Sequence, residues 1–228
     1  MPGNTLNKDI RTVGYVLKRT NYGEADRILN LITPLGKKSV IAKGVRKPKS
    51  KLAGGIEMFT RSEINIHEGR GEIGVLTGAR MNRYYGEIVK DFRKIELAGE
   101  MLKRINRTVE GGSEGYFRIL EQGLSGLEAS EKNEMVFMWF LVNLNREIGE
   151  EMNLYRDVSG EKLSAEKKYS WDEYEKAFLE NISGEFGANE IKVLRMMNKG
   201  DLREILRVRI GDGVLGRVYE LVKMADRS

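Results

Sequence analysis

Seven cations fall within 15 residues, Lys37, Lys38, Lys43, Arg46, Lys47, Lys49 and Lys51, and no acid interrupts them. An unneutralised run of that density suits the phosphates of a polyanion, because long flexible ammonium and guanidinium groups can follow a backbone without demanding one fixed register. Lys18, Arg19 and Arg27 extend the candidate surface, and Tyr22 offers a ring on which a base could stack, a contact worth about 1–3 kcal/mol where it forms. A solvated basic loop and a turn-packing tyrosine are the structural alternatives. Charge is segregated along the chain: residues 1 to 52 hold 12 Lys and Arg against Asp9, Glu24 and Asp26, whereas the whole chain is only +5, which leaves −4 for residues 53 to 228. A basic end on an acidic body points to nucleic acid as the partner.

Other chemistry is excluded by composition. The chain has no cysteine, so disulfides, thiolate metal sites and cysteine nucleophiles are absent, and the single His67 cannot build a HExxH zinc site or a serine triad. Gly69, Gly71 and Gly74 match GxGxxG but lead into an extended stretch rather than a helix. Gly211, Gly213 and Gly216 match again, with too little chain behind them for the next strand and its ribose-binding acid. Gly36 to Gly44 lacks the spacing and ending of a P-loop. Glu147, Glu150 and Glu151 share a helical spacing but have no aspartate-rich partner set, which makes them a solvated face rather than a magnesium site. No catalytic residue, cofactor or metal is expected.

The elements that must position the cations change character along the chain. Val13, Tyr15 and Leu17 alternate with Gly14, Val16 and Lys18. Asp26–Thr33 and Lys38–Lys43 form a hairpin about Pro34, Leu35 and Gly36, Ile56, Met58, Ile64 and Ile66 share one parity, and Gly69 to Gly71 turn into Ile73, Val75 and Thr77. Five short antiparallel strands in about 80 residues close best as a barrel, which removes exposed edges, and the five-stranded OB-fold is the expected solution with an SH3-like barrel as runner-up. From residue 84 the period becomes helical, through Ile88 to Ile105, Phe117 to Leu127 and Met135 to Leu144, with Gly111, Gly112 and Ser113 between the first two helices. A polar insertion over Asp157 to Lys168 precedes a resumed pattern over Trp171 to Asn181, and shorter helices follow over Asn189–Asn198, Asp201–Arg207 and Val214–Ala225. Met135 to Leu144 is the longest uncharged apolar stretch, half of a bilayer span, and the first 18 residues lack a signal-peptide pattern, so a cytoplasmic protein is expected.

Tyr22-Gly-Glu-Ala-Asp26, Leu31-Ile-Thr-Pro-Leu-Gly36, Ala42-Lys-Gly-Val-Arg-Lys-Pro-Lys-Ser50, Leu52-Ala-Gly54 and Phe59, in that order and spacing, resemble the bacterial RecO family of DNA repair proteins. The match is specific over about residues 10 to 80 and weaker in motif beyond. The resemblance implies an α+β chain, with an all-β OB-fold over residues 1–80 and an all-α domain over 81–228. It also implies binding of single- and double-stranded DNA, annealing of complementary strands, and work with RecR and single-stranded DNA-binding protein to help load RecA recombinase in the nucleoid. Many members carry a four-cysteine zinc site in the helical domain. Residues 154–181 look like that insertion without its ligands, Arg156 and Ser159 standing at the first pair and Phe178 and Asn181 near the second. Leu163, Tyr169, Trp171 and Phe178 are then the candidates to staple the segment by packing. For an acidic, apolar tail of single-stranded DNA-binding protein, Arg195, Arg203, Arg207 and Arg209 are the nearest candidate residues by density. The rival readings are a small nucleotide-dependent enzyme built on a glycine motif, and a transcriptional regulator whose helices from 189 to 225 read duplex DNA.

Overall fold

The computed structural model describes residues 8–69, 71–108 and 114–226. Five strands, β1 (Lys8–Tyr22), β2 (Asp26–Thr33), β3 (Gly36–Ala42), β4 (Thr60–Glu68) and β5 (Gly74–Tyr84), close as a barrel in the order β1-β2-β3-β5-β4. β1 is long enough to close it alone. Its first half pairs with β4, from Lys8↔Glu68 to Tyr15↔Arg61, and its second half with β2, from Tyr15↔Ile32 to Tyr22↔Asp26. Only the β3–β5 seam is parallel, through Val40↔Gly74 and Ile41↔Val75. This is the OB-fold arrangement anticipated from the strand pattern.

Ile10, Val16, Leu29, Leu31, Val40, Ala42, Ile64, Ile66 and Leu76 fill the barrel. The face of β1 turned inward is therefore that of Ile10 and Val16. Tyr15 and Leu17 are buried too, because helices cover the outside of the strand: Tyr15 packs on Phe117 with ring centroids 5.4 Å apart. Ile56 and Met58, expected in a strand, lie before β4. Ile56 closes a 3₁₀ turn (Ala53–Ile56) and seals the barrel from one end. Gly55 allows that turn to sit on β5, since a Cβ there would stand 2.5 Å from the backbone of Ala79.

The chain divides into two compact units, Met1–Glu128 and Ala129–Ser228. The boundary thus falls well beyond the expected residue 80. Helices α1 (Phe92–Thr108) and α2 (Glu114–Ala129) belong with the barrel for a physical reason. Tyr15 Oη meets Tyr85 Oη at 2.8 Å and donates to Glu121 Oε1 at 3.3 Å, and Arg61 pairs with the same carboxylate at 3.0 Å. Burial, with the neighbouring Tyr85 and Glu121, holds the Tyr15 hydroxyl far above the ordinary phenol range, so it stays a neutral donor. The expected Gly111-Gly112-Ser113 break lies outside the described residues, between α1 and α2.

In the second unit α3 (Asn133–Glu147) is buried almost all round, from Met135 to Asn145, and serves as the axis on which α4 (Ala188–Lys199) and α6 (Asp212–Ala225) pack. A four-residue helix α5 (Leu202–Ile205) links those two. This unit is not all-α. β6 (Asn153–Asp157), β7 (Tyr169–Asp172) and β8 (Ala177–Glu180) form a three-stranded sheet in the order β6-β8-β7, so Trp171 to Asn181 is a hairpin rather than a helix. Residues 173 to 176 turn between β7 and β8, with Lys176 at φ 48°, and cross-strand pairing of Trp171 with Phe178 outweighs the helical spacing of the apolar residues.

No zinc fits here. Arg156, Ser159, Phe178 and Asn181 supply no metal-binding donor set, and among the described residues no group of three or more His, Cys, Asp or Glu converges. The turn after β6 is closed by a carboxylate instead: Asp157 Oδ1 accepts from Ser159 N, Ser159 Oγ and Glu161 N at 2.9, 2.6 and 3.0 Å. Phe178 packs edge-on against Tyr169, Trp171 and Phe186, and Leu163 N donates to Tyr155 O. The bonds from Ser159 and Glu161 hold the Asp157 carboxyl below the usual range. A depressed folded-state pKa stabilises above the unfolded value and is lost as pH falls through the folded one. We therefore expect EDTA to leave the circular dichroism and melting temperature unchanged. Asp157→Ala is expected to cost about 1–3 kcal/mol in urea unfolding at neutral pH, and the difference from wild type should shrink on acidification.

Candidate nucleic-acid interface

The basic loop leaves β3 at Ala42, and its backbone is fixed before its cations are considered. Gly44 takes φ +63°, which turns the chain back toward the β1–β2 connection. Three bonds then stitch the two together: Gly44 N to Asp26 Oδ1 at 2.7 Å, Arg46 N to Ala25 O at 2.9 Å and Arg46 Nη1 to Gly23 O at 3.3 Å. Val45 is buried in the barrel core, and Leu52 and Ala53 pack on the same core at the loop's other end. Between these anchors Lys47 N and Ser50 N close successive turns on Gly44 O and Lys47 O. The loop is an ordered platform, with Lys43, Arg46, Lys47, Lys49 and Lys51 all exposed on it.

Among the described residues Lys18, Lys43, Lys47, Lys49 and Lys51 form no ion pair. The other expected cations are engaged. Arg19 pairs with Glu57 at 2.8 Å, and Arg27 donates to Asn21, its cross-strand neighbour, at 3.2 Å. Arg27 also sits beside Ala42 in the ladder, at the root of the loop. Lys18 emerges mid-strand because β1 bulges between Val16 and Lys18, which buries Leu17 and turns the lysine out. Tyr22 is 55% exposed, two residues from Glu24 on the connection that the loop touches.

Lys37 and Lys38 do not join this surface. They begin β3, and the strand's rise carries the chain roughly 20 Å from Lys37 to Lys43. There Lys37 Nζ donates to Asn106 O near the C-terminal end of α1 at 2.5 Å, and Lys38 pairs with Glu68 at 2.7 Å. Both line a polar cavity of about 300 Å³ shared with Glu68 and Glu72. Sequence reasoning missed the groups that sort these cations, Asp26, Glu57, Glu68 and Asn106, because each becomes a neighbour only through strand pairing or helix docking. Asp26 alone carried a local signal, as the acid closing the Tyr22–Asp26 run.

Neither glycine motif makes a dinucleotide site. Gly74 begins β5, packed so that a Cβ would meet Ile66 at 2.8 Å, and Gly211 caps α6 with α5 rather than a strand before it, so the strand–turn–helix of a dinucleotide fingerprint is not formed. His67, next to last in β4, has Nδ1 2.7 Å from Asp9 Oδ1.

In the second unit, α4 and the segment before α6 enclose a groove of about 270 Å³ with Val193, Met196, Val208, Ile210 and Val214 on its walls and Lys192 and Arg209 at its rim. Of the four arginines expected near a partner tail, only Arg209 lines it. Arg195 points elsewhere, donating from Nε to Leu154 O at 2.8 Å, while Arg203 and Arg207 are exposed but not among the lining residues.

Residues 8–85 match the family model described as "Recombination protein O N terminal", which spans the whole barrel. Similarity continues through the helical unit. A protein named DNA repair protein RecO from Dehalococcoides mccartyi (strain CBDB1) is 28% identical over 225 residues, covering 94% of this chain and 88% of its own. Its namesake in Heliobacterium modesticaldum (strain ATCC 51547 / Ice1) is 28% identical over 229 residues, covering 93% and 82%. The chain is thus similar to the RecO family, through the family model over its barrel and through relatives 28% identical over nearly its whole length. A RecO from Bifidobacterium adolescentis (strain ATCC 15703 / DSM 20083 / NCTC 11814 / E194a) reaches 38% identity over 97 residues, 42% of this chain and 39% of its own. The residues matched by the family model include the platform and its anchors.

If Asp26 acts as the clasp of the platform, its two oxygens and its charge have separable effects. Asp26→Asn keeps an acceptor for Gly44 N and removes a negative charge beside the cations, so DNA affinity should hold or rise. Asp26→Ala loses the acceptor and should destabilise the protein by about 1 kcal/mol or more. Urea unfolding and fluorescence anisotropy of a labelled oligonucleotide check the two effects separately.

Proposed function

We propose that the chain is a DNA repair and recombination factor that binds single- and double-stranded DNA, anneals complementary strands and assists RecA loading, with no covalent step of its own. The observation that carries this reading is the ordered loop on which Lys43, Lys47, Lys49 and Lys51 have no carboxylate partner among the described residues. Cations held in that state pay no exchange of partners when they meet phosphates. They neutralise the mutual repulsion of two strands, and backbone-directed contacts leave base edges free to pair. The likeness of the barrel to the RecO N-terminal family model and the names of the relatives support the same role. No helix among the described residues is long and apolar enough to cross a membrane, which agrees with work on DNA in the cytoplasm.

Replacing Lys43, Arg46, Lys47, Lys49 and Lys51 with alanine tests it. The anchors Val45, Leu52 and Ala53 remain, so circular dichroism should be unchanged. Single-strand affinity should fall for every sequence, the logarithmic salt slope should flatten by roughly 3.5 if all five contact phosphates at −0.7 each, and annealing should slow with it. Unchanged affinity and slope would falsify the reading. Loss of preference at one base position with an intact slope would favour a duplex-reading regulator instead.

RecR, RecA and single-stranded DNA-binding protein are proposed partners by family. For the last, the groove between Lys192 and Arg209 offers apolar walls and two rim cations, the chemistry that an acidic, apolar tail needs. A tail peptide should bind with an affinity that drops at least tenfold in Arg209→Glu. Equal binding by wild type and variant would remove the groove from the partner's site.

A further inference from the structure

The second unit as a whole is acidic, with 16 Lys and Arg against 19 Asp and Glu from residue 129 to 228. Six of its cations nevertheless fall between Lys192 and Arg209, against Asp201 and Glu204 alone. Three of them, Lys192, Arg195 and Lys199, recur at i, i+3 and i+7 on α4 and so form one stripe along about 10 Å of helix. The only acid on that helix, Glu190, is buried, caps Gly187 N and is paired with Arg217 at 2.6 Å, so it neutralises none of the stripe. Among the described residues none of the three forms an ion pair.

The stripe is also preorganised. Tyr155 of β6 lies against α4 with Arg195 Cζ 4.9 Å and Lys199 Nζ 4.8 Å from its ring centroid, and Arg195 Nε is tied to Leu154 O. One ring thus gathers two like charges that repel each other at i, i+4 spacing. Holding them together without a carboxylate is favourable only in part. An anion along the stripe completes it. Lys192 also rims the groove of Asn189, Val193 and Met196, whereas Arg195 and Lys199 do not line it and have the face of a single ring, Tyr155, beside them. The stripe's chemistry is therefore that of a phosphate backbone rather than of an acidic apolar peptide.

We propose that Lys192, Arg195 and Lys199, with Tyr155 as their positioning residue, form a second nucleic-acid contact on the helical unit, independent of the basic loop on the barrel. The inference rests on the DNA-binding reading above. Three phosphate contacts at −0.7 each would contribute roughly 2 to the salt slope for a single strand.

The full-length chain carrying Lys192→Gln and Lys199→Gln, which leaves the Arg195–Leu154 bond in place, should lose about two thirds of that increment. Tyr155→Leu should lose part of it, and Tyr155→Phe, which keeps the ring, should restore it. Anisotropy with a labelled oligothymidine across a salt series reads these slopes, with circular dichroism as the check on folding. If the five-alanine loop variant flattens the slope while the stripe variants match wild type, the second contact is wrong and the barrel reading stands. If neither set moves the slope, the DNA reading itself fails. Should the stripe variants leave strand binding intact but weaken an acidic apolar peptide, the surface belongs to a protein partner and the proposal is overturned.

Discussion

The double pairing of β1 is the constraint on which the rest of the first unit depends. One 15-residue strand joins β4 on one side and β2 on the other, and the two ladders overlap at Tyr15, which faces both Ile32 and Arg61. Closure at that point removes the free edge that a five-stranded sheet would otherwise present. It also sends Tyr15 outward, where its hydroxyl finds Tyr85 and Glu121 and its ring finds Phe117. The same residue that closes the barrel thus fastens α2 to it. Just beyond, the bulge between Val16 and Lys18 changes which side chains emerge, and Lys18 is exposed as a consequence.

β3 has the complementary role of separating charge. Its two ends carry the cations that the sequence presents as one run, but Lys37 and Lys38 meet Asn106 and Glu68 while Lys43 opens onto the loop. A strand is a rigid spacer, so a dense run in sequence becomes two sites in space. The pair at the strand's start is engaged within the fold, whereas among the described residues the five beyond Ala42 have no ion-pair partner. Arg19 makes the same point from β1, since Glu57 neutralises it within the fold.

What was legible in the sequence followed from short-range order. The hairpin of β2 and β3 was readable from Pro34 to Gly36 and the flanking apolar runs, and the five-strand closure from their number and length. The basic loop was readable because nothing in it neutralises it. Long-range partners were not readable: no local pattern marks Asn106 as the acceptor for Lys37, or Phe117 as the cover on Tyr15. The β7–β8 hairpin was misread as helix because Trp171 and Phe178 are spaced by seven, which suits either a helical face or two strands around a four-residue turn. Of the stripe on α4 only Arg195 stood among the arginines singled out by density, and its organising group, Tyr155, lies on a strand that the helical reading had not allowed.

Lysine dominates the barrel platform, with Lys43, Lys47, Lys49 and Lys51 around a single Arg46. An arginine fork fixes the plane and direction of a phosphate contact, whereas an ammonium is a point charge with rotatable donors. Arg46 commits one nitrogen, Nη1, to Gly23 O, and the four lysines around it supply the non-directional groups. Annealing as proposed needs that division. Strands searching for register must slide past their contacts and then leave as duplex, and directional contacts would slow both steps. The ligand-facing groups therefore need charge without fixed geometry. Their support needs the reverse, and Val45, Leu52 and the Asp26–Gly44 bond supply it by holding the loop's backbone while, among the described residues, its lysine tips pair with no carboxylate.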